Sequence, residues 1–442
     1  MCVRYVLDNY PIERFYTSCE LPQQDAKTIA KTYLIPIIKQ ISTSSVLVGF
    51  GSDGASVMSG EHGGVLKHLK DIFPEILYVH CYCHRLNLVL SKFVKVNSAA
   101  CSVFELYGTL HKVLAIAKNR AIFENSQKDK YPKSQLRSVS HLAETRWCCN
   151  FDGVDMIISR YTAILDCLNQ ISEDKKSPTS SVAYGLAIRL QSPETIVILC
   201  FLHKLLSITQ GLNLLLQAKK INYVQAASEV EVIGKILITM NVTDFYTYAE
   251  EISRDLDIDL EEQVQKRNRA SKSAKQILEN LVRDSVSYII KELNLRFSTE
   301  VANALLSLSA LDAASDNYLD YKTINPLASR FSNSLEINCT LLQAEMERAK
   351  ICVSDGKNLL WSSYPNLHKM FSLMHTIPVT SAENERSFSA FGRIMTDTRS
   401  SLTSKRASEL VFLAMNKDMF KNISIANVLN RWVKMANRIV SI

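Results

Sequence analysis

The sequence predicts an α/β region joined to an all-α region. Three observations predict it. Short segments rich in Val, Ile, Tyr, Phe and Thr alternate with helical ones over roughly the first hundred residues. From Cys101 to about Val353 prolines thin out to Pro132, Pro178, Pro193 and Pro326, and helical periodicity dominates. The segment after about residue 356 then reads as a short helical tail.

In chain order, Cys2 to Leu7 and Glu13 to Leu21 are strand-like, with Asp8-Asn9-Tyr10-Pro11 as the turn of a hairpin. Asp25 caps a helix to about Gln40, which Pro36 kinks or ends early. Val46 to Phe50 reads as a short buried strand, Gly64 to about Ile72 as a short helix, Leu77 to Cys81 as another strand and His84 to Val94 as an amphipathic helix. The order β-β-α-β-α-β-α implies a mixed sheet with helices on its faces, where sites collect at the carboxyl ends of strands.

The helical region offers helices over Ser102 to Asn125, Val154 to Ile171, Thr195 to Lys219, Tyr223 to Met240 and Lys272 to Leu295. Lys118 to Arg146 holds seven basic residues against three acidic and reads as a mobile basic loop. Asp255 to Glu262 is acidic and is followed by Lys266, Arg267, Arg269, Lys272 and Lys275, either a solvated face or a phosphate-binding one. In the tail, Pro365 starts a helix and Thr380-x-x-Glu383 has the form of a capping box opening a second, Ser381 to Ile394. Leu402 to Lys417 and Ala426 to Val440 complete it. The expected domains are 1–100, 101–355 with the basic loop 118–146, and 356–442.

At 442 residues the chain exceeds one ordinary core and should divide. Its 47% hydrophobic and 21% charged residues are near globular averages, which argues against disorder. A formal charge of +7 permits a polyanionic partner without requiring one. Eleven cysteines, an odd number, behind a start with no basic-then-apolar leader imply free thiols in a reducing compartment. Ile196 to Leu216 is broken by His203-Lys204, Gln210 and Asn213, so no membrane-spanning helix and no membrane partner are expected.

Six of the thirteen glycines lie between Gly49 and Gly64. A P-loop needs G-x-x-x-x-G-K-[ST], and a dinucleotide turn needs G-x-G-x-x-G. Gly49-Phe50-Gly51-Ser52-Asp53-Gly54 satisfies neither. Gly51 and Gly54 instead permit a sharp turn that exposes Asp53 to a hard cation, the alternative being a plain turn aspartate. One carboxylate holds a divalent ion weakly, and two-metal phosphoryl transfer needs about three.

Val79 to Leu90 carries Cys81, Cys83 and His84. A C-x-C-H run lacks the second pair a zinc site wants, so Cys81 reads better as a strand–helix junction. Arg146-Trp147 can stack an unpaired base and take a phosphate, or be a core Trp beside a surface Arg. Glu383, Glu385 and Arg386 fall in the first turns of a helix, where acids suit the dipole. The spacing of Glu385, Phe388 and Gly392 also lays that acid on one face with an aromatic and a small residue, a face able to turn inward.

Together these motifs resemble the hAT transposase superfamily, and most closely the transposase-derived proteins of the zinc finger MYM-type group. The residues carrying the resemblance are Gly51-Ser52-Asp53-Gly54-Ala55, Cys81-Tyr82-Cys83-His84-Arg85-Leu86-Asn87-Leu88, Arg146-Trp147, and Ser381 to Phe388 with the helix Leu402 to Asn416, in the family order. The resemblance implies an RNase H-like mixed sheet interrupted by a large helical insertion and closing with the helical hAT dimerisation region. It implies DNA cutting and joining by an Asp-Asp-Glu triad with Mg2+ or Mn2+, in the nucleus. Asp53 matches the second acid and Glu385 the glutamate, and these two would hold any metal. Cys81 and His84 match the supporting element, and Arg146 with Trp147 the pair that handles flipped bases. Phe388, Leu402, Leu410 and Leu413 fall in the dimerisation region.

The first acid of that triad belongs to a strand upstream of the segment resembling Cys2 to Leu7, and Asp8, in the hairpin, is a poor substitute. The family's amino-terminal zinc finger has no counterpart either. The sequence therefore predicts a truncated, catalytically inactive, domesticated transposase that dimerises and binds DNA, with Lys266, Arg267 and Arg269 among its DNA contacts. The first strand of the sheet would be missing and residues 1–21 its least stable part. The competing expectations are an active metal-dependent transposase or nuclease, and a protein-interaction module.

Overall fold

A two-residue turn with both residues at positive φ matches the twist of a tight hairpin, and Asp8 (φ 49°) and Asn9 (φ 67°) supply it. The turn joins β1 (Cys2–Leu7) to β2 (Tyr10–Phe15) in antiparallel register, Cys2 opposite Phe15. Because two residues suffice, β2 starts earlier than the expected Glu13 and ends well before Leu21. The computed structural model describes residues 1–43, 45–60, 62–141, 150–218, 221–255, 258, 273–297, 302–396, 402–421 and 423–435.

A π-helical stretch, Thr28–Leu34, then passes into α1 (Ile35–Ile41). Pro36 lies in the first turn of α1, so it marks the change of helix type rather than a kink or an early end. β3 (Gly49–Ser52), α2 (Ser56–Ser59), α3 (Val65–Lys70) and β4 (Leu77–His80) follow, with β3 and β4 paired in parallel. Ala30, Ile35, Ile38, Val65 and Leu69 form the small core beneath this pair.

Helices then run without a strand among the described residues: α4 (Tyr82–Val96), α5 (Ser98–Ala115), α6 (Ala117–Lys130), α7 (Phe151–Ser159), α8 (Tyr161–Glu173), α9 (Ser180–Leu190), α10 (Pro193–Leu216), α11 (Tyr223–Ile238), α12 (Thr243–Asp255) and α13 (Ala274–Phe297). The series continues as α14 (Ala302–Ser309), α15 (Tyr321–Arg330), α16 (Cys339–Ser354), α17 (Pro365–Thr376), α18 (Ala382–Ile394), α19 (Ser404–Met415) and α20 (Ile425–Lys434).

The chain forms two compact units, one of residues 1–81, 217–224 and 303–442, the other of 82–216 and 225–302. The divisions expected after residues 100 and 355 thus fall after Cys81 and near residue 303. Residues 303–355 group with the first unit because they pack on its elements: Arg330 of α15 donates to the carbonyls of Glu75 (2.8 Å) and Ile76 (2.9 Å).

The architecture is mostly helical with two small sheets. The single mixed sheet expected from the β-β-α-β-α-β-α order is not formed among the described residues, where the hairpin and the β3–β4 pair are separate two-stranded sheets. In place of further strands, helices cover the hairpin: α17, α18 and α19 all pack on it. Phe15, Ala390 and Val411 are its buried centre, with Phe391, Phe412 and Met415 around them.

Nor is the amino-terminal region loosely attached. Buried Arg4 pairs with Glu13 at 2.9 Å and donates to the carbonyls of His375 (2.7 Å) and Ile221 (2.8 Å). Arg14 forks onto Asp418 at 2.7 and 2.6 Å, and Asn416 donates to the Phe15 carbonyl at 2.8 Å. Residues far apart in sequence thus tie the hairpin to the tail.

In the second unit α10 is the central helix, its neighbours including α5, α7 and α12. It is long and apolar enough by length and composition to cross a membrane, contrary to the expectation, since Glu194 lies at its very start and His203-Lys204 is the one polar break in the run from Ile196 to Leu206. Two-thirds of its most apolar window (67%) is buried inside the protein, as in a core helix. Of the stretch expected as a basic loop, Lys118 to Lys130 is helical in α6, in keeping with the helix expected to Asn125 and five residues beyond it, because Asn119, Phe123, Ser126 and Gln127 give it a buried face. That polar face is satisfied: Gln127 exchanges hydrogen bonds with the backbone of Arg137, and Ser126 donates to Asp166 at 2.6 Å.

Candidate functional site

The glycine-dense stretch ends β3, and two of its glycines are there for contact rather than for phosphate. A Cβ on Gly49 would lie 2.9 Å from Pro378 Cδ, and one on Gly51 3.1 Å from Pro378 Cγ. The segment before α18 therefore lies directly on the strand, which only residues without a side chain permit. Gly54, at φ +77°, turns the chain over the ring of His80, where a Cβ would come within 2.3 Å.

Asp53 is exposed at this turn, and its Oδ1 accepts the Ala55 N–H at 3.1 Å. Its neighbour Ser52 is buried; its Oγ pairs with the Tyr78 hydroxyl at 3.0 Å and accepts the Gly54 N–H at 3.3 Å. The turn is thus built from its own side chains and presents one carboxylate with one oxygen already engaged.

Cys81 connects this turn to the helix that carries the other acids. Its N–H donates to the Ser52 carbonyl at 2.8 Å, continuing the β3–β4 ladder. Its buried Sγ accepts the Ser381 N–H at 3.2 Å, immediately before α18. The strand end bearing Asp53 and the helix start bearing Glu385 therefore share Cys81 as a junction. His84 lies in the first turn of α4, which begins at Tyr82 rather than at His84 as expected, and belongs to the other unit.

On α18 the buried face is Ala382, Glu383, Ser387 and Ala390. The inward acid is Glu383, paired with Arg386 at 2.6 Å, whereas Glu385 is half-buried. Phe388 is 72% exposed, so the face expected to turn inward through Glu385, Phe388 and Gly392 does not. The physical reason is packing: small Ala390 fits against Phe15 of β2 and Val411 of α19, and Phe388, on the other side of the helix from Ala390, is in solvent. Where the capping box was expected, the Glu383 carboxylate meets Arg386, and Thr380 Oγ1 accepts the Ala382 N–H at 3.4 Å. The Glu383–Arg386 spacing of three residues was the sequence signal for that pair.

Cys2 stands near this acid. Burial pushes its thiol up to about 12, and the charges of Glu383 and Glu13 add to the effect against the opposing amino terminus. At neutral pH it is a packed thiol, not a nucleophile.

Among the described residues no group of three His, Cys, Asp or Glu side chains converges so as to hold a metal ion. Asp53 and Glu385 alone do not fit the pair of ions that two-metal phosphoryl transfer requires. Arg146 and Trp147 lie outside the described residues, as do Lys266, Arg267 and Arg269. Of the four residues expected at a dimer contact, Phe388 and Leu413 are exposed, and Leu402 and Leu410 are half-buried.

Comparison with known proteins finds similarity in the carboxy-terminal part and along most of the chain. Residues 357–416, spanning α17 to α19, match the model of the hAT family C-terminal dimerisation region. The chain is 23% identical over 405 residues to the human "52 kDa repressor of the inhibitor of the protein kinase", a match covering 82% of this chain and 52% of that protein. The mouse protein of the same name is 23% identical over 406 residues, with the same coverage. The chain therefore spans about half the length of the curated relatives it matches. The hAT resemblance read from the motifs is borne out, and it is the C-terminal helices that match the family's dimerisation region.

Proposed function

We propose that this transposase-derived chain works by self-association and DNA binding in the nucleus, without cutting DNA itself. The observation that carries the reading is the dimerisation region: the helices that match it leave Phe388 and Leu413 in solvent, where large apolar side chains gain by meeting a partner. Asp53, one oxygen of which is held in its own turn, supports the non-cutting part. The relatives' printed name describes a repressor, and a regulatory role that needs contacts rather than chemistry is what we carry over to this chain.

An RNase H-like origin belongs to the same reading. It is supported by the parallel β3–β4 pair with helices between its strands, and by the bond from Cys81 that brings a second acidic segment to the strand end. DNA contact is assigned to Lys266, Arg267, Arg269, Arg146 and Trp147. Sedimentation of the purified chain should show a dimer at micromolar concentration, and Phe388→Glu should weaken it. Affinity for duplex DNA should fall with salt, and alanine at Lys266, Arg267 and Arg269 should flatten that dependence by about one unit of slope per lost phosphate contact. An unchanged slope would favour a protein-interaction module instead.

The exposure of Asp53 at a strand end favours one second reading, a metal-dependent nuclease or transposase using Mg2+ or Mn2+. Nicking of duplex DNA with Mn2+ above the level of Asp53→Ala would establish it.

A further inference from the structure

Arg85, in the second unit, is a buried cation without a counter-charge. It is 7% exposed, and among the described residues its guanidinium meets no carboxylate and no hydrogen-bond acceptor. Its contacts are two aromatic rings of the same unit, Tyr82 and Phe297, whose centres lie 5.8 and 5.9 Å away and which stand edge-on to each other. Ring faces attract a cation but offer no oxygen to its N–H donors. Arg4, also withdrawn from water, shows the usual arrangement: Glu13 and two backbone carbonyls take its donors.

The place of Arg85 in the chain adds a second cost. It is the fourth residue of α4, a fifteen-residue helix with no acid in its first turn. The amino-terminal end of such a helix carries a partial positive charge, which repels a cation set there. Side chains on a helix lean towards that end, and the contact with Tyr82, three residues earlier, shows that Arg85 does so. The guanidinium and the positive helix end therefore converge, and a single anion would relieve both costs.

We propose that the amino-terminal end of α4 is a phosphate site, in which Arg85 takes the oxyanion through its guanidinium fork. A guanidinium matches a phosphate by two parallel N–H···O bonds, and the two rings hold this one in place beforehand. The inference rests on the DNA-binding reading, which makes a backbone phosphate the expected source; a free phosphate offers the same chemistry.

The test uses the full chain with Arg85→Gln and Arg85→Lys. In a buffer free of phosphate and sulfate, Arg85→Gln should melt no lower than the unaltered chain, because it removes a buried charge that nothing compensates. Millimolar inorganic phosphate should then raise the melting midpoint of the unaltered chain and leave that of Arg85→Gln in place, with Arg85→Lys between them. On duplex DNA, Arg85→Gln should flatten the dependence of affinity on salt by about one unit of slope. A clearly lower midpoint for Arg85→Gln in the phosphate-free buffer overturns the proposal, since the charge would then stabilise the fold with no anion present. If phosphate responds as expected but the DNA slope is unchanged, the site stands and its source is a free phosphate. If the unaltered chain binds DNA and Arg85→Gln matches it with both ligands, the site is refuted and DNA binding stands. If the unaltered chain ignores DNA at low salt, the DNA-binding reading falls, and equal phosphate responses in the two chains would refute the site as well.

Discussion

Helices α10 and α20 are both rich in large apolar residues and have opposite fates. α10 is apolar on nearly every side, and Ile196 to Leu202 are buried without a break; α20 is apolar along one face, and none of it is buried. The difference teaches that the arrangement of apolar residues, more than their number, tells whether a helix is covered by its own chain. An all-round apolar helix has to sit in a core, whereas a striped one with a polar back needs only one surface.

The largest effect that could break this comparison is in α10. Phe201, fully buried and edge-on to Phe93 and Phe245, should cost about 3–5 kcal/mol of stability when changed to Ala, read from chemical denaturation. A loss below about 1 kcal/mol would mean that α10 is not the centre of its unit.

A smaller effect comes from a polar station on α10. His203 shares a 2.9 Å hydrogen bond with Asp155, which Arg137 also meets at 2.6 Å. Burial pushes the Asp155 carboxyl up, but the bonds and charge from Arg137 and His203 outweigh it, and the group is held below its usual range. A carboxylate lowered in the fold contributes stability above its unfolded value, near pH 4, and that contribution is lost as pH falls through the folded value. Asp155→Asn should therefore cost about 1 kcal/mol near neutrality, since the group is partly exposed, and little at low pH. An equal cost at pH 7 and pH 2.5 would sink this account.

Next comes the base of α20. Asp418 is more than half exposed, so Asp418→Asn should change stability by less than about 1 kcal/mol in spite of its fork with Arg14. Trp432→Ala marks the contrast with Phe201, because at a half-exposed position it should cost far less folding stability, under about 1 kcal/mol. A large loss of monomer stability would place α20 in its own core, like α10.

Much of the local structure was legible. β1 has the expected bounds, Pro365 starts α17 and Tyr223 starts α11, because each depends on turn chemistry, a proline at a first turn or periodicity within a few residues. Asp53 is at a strand end as expected, on the physics of glycine turns. The choice between Glu383 and Glu385 was not legible, since both suit a first turn and only the packing of Ala390 selects the buried one. The end of α6 was read only as loop for a related reason: it buries Ser126 and Gln127, and a polar buried face leaves no hydrophobic stripe to count.

The sequence by itself determined the family resemblance, the order of most elements and the apolar stripe of α20, because motifs, turns and helix faces are set by neighbours along the chain. Only the tertiary structure decided that the hairpin is tied to the tail through Arg14 and Asp418, that Cys81 holds Ser381, and that the strands form two small sheets rather than one. Those contacts join residues three to four hundred positions apart. Such a bond forms only when many other pieces have already packed, so no local pattern of residues announces it.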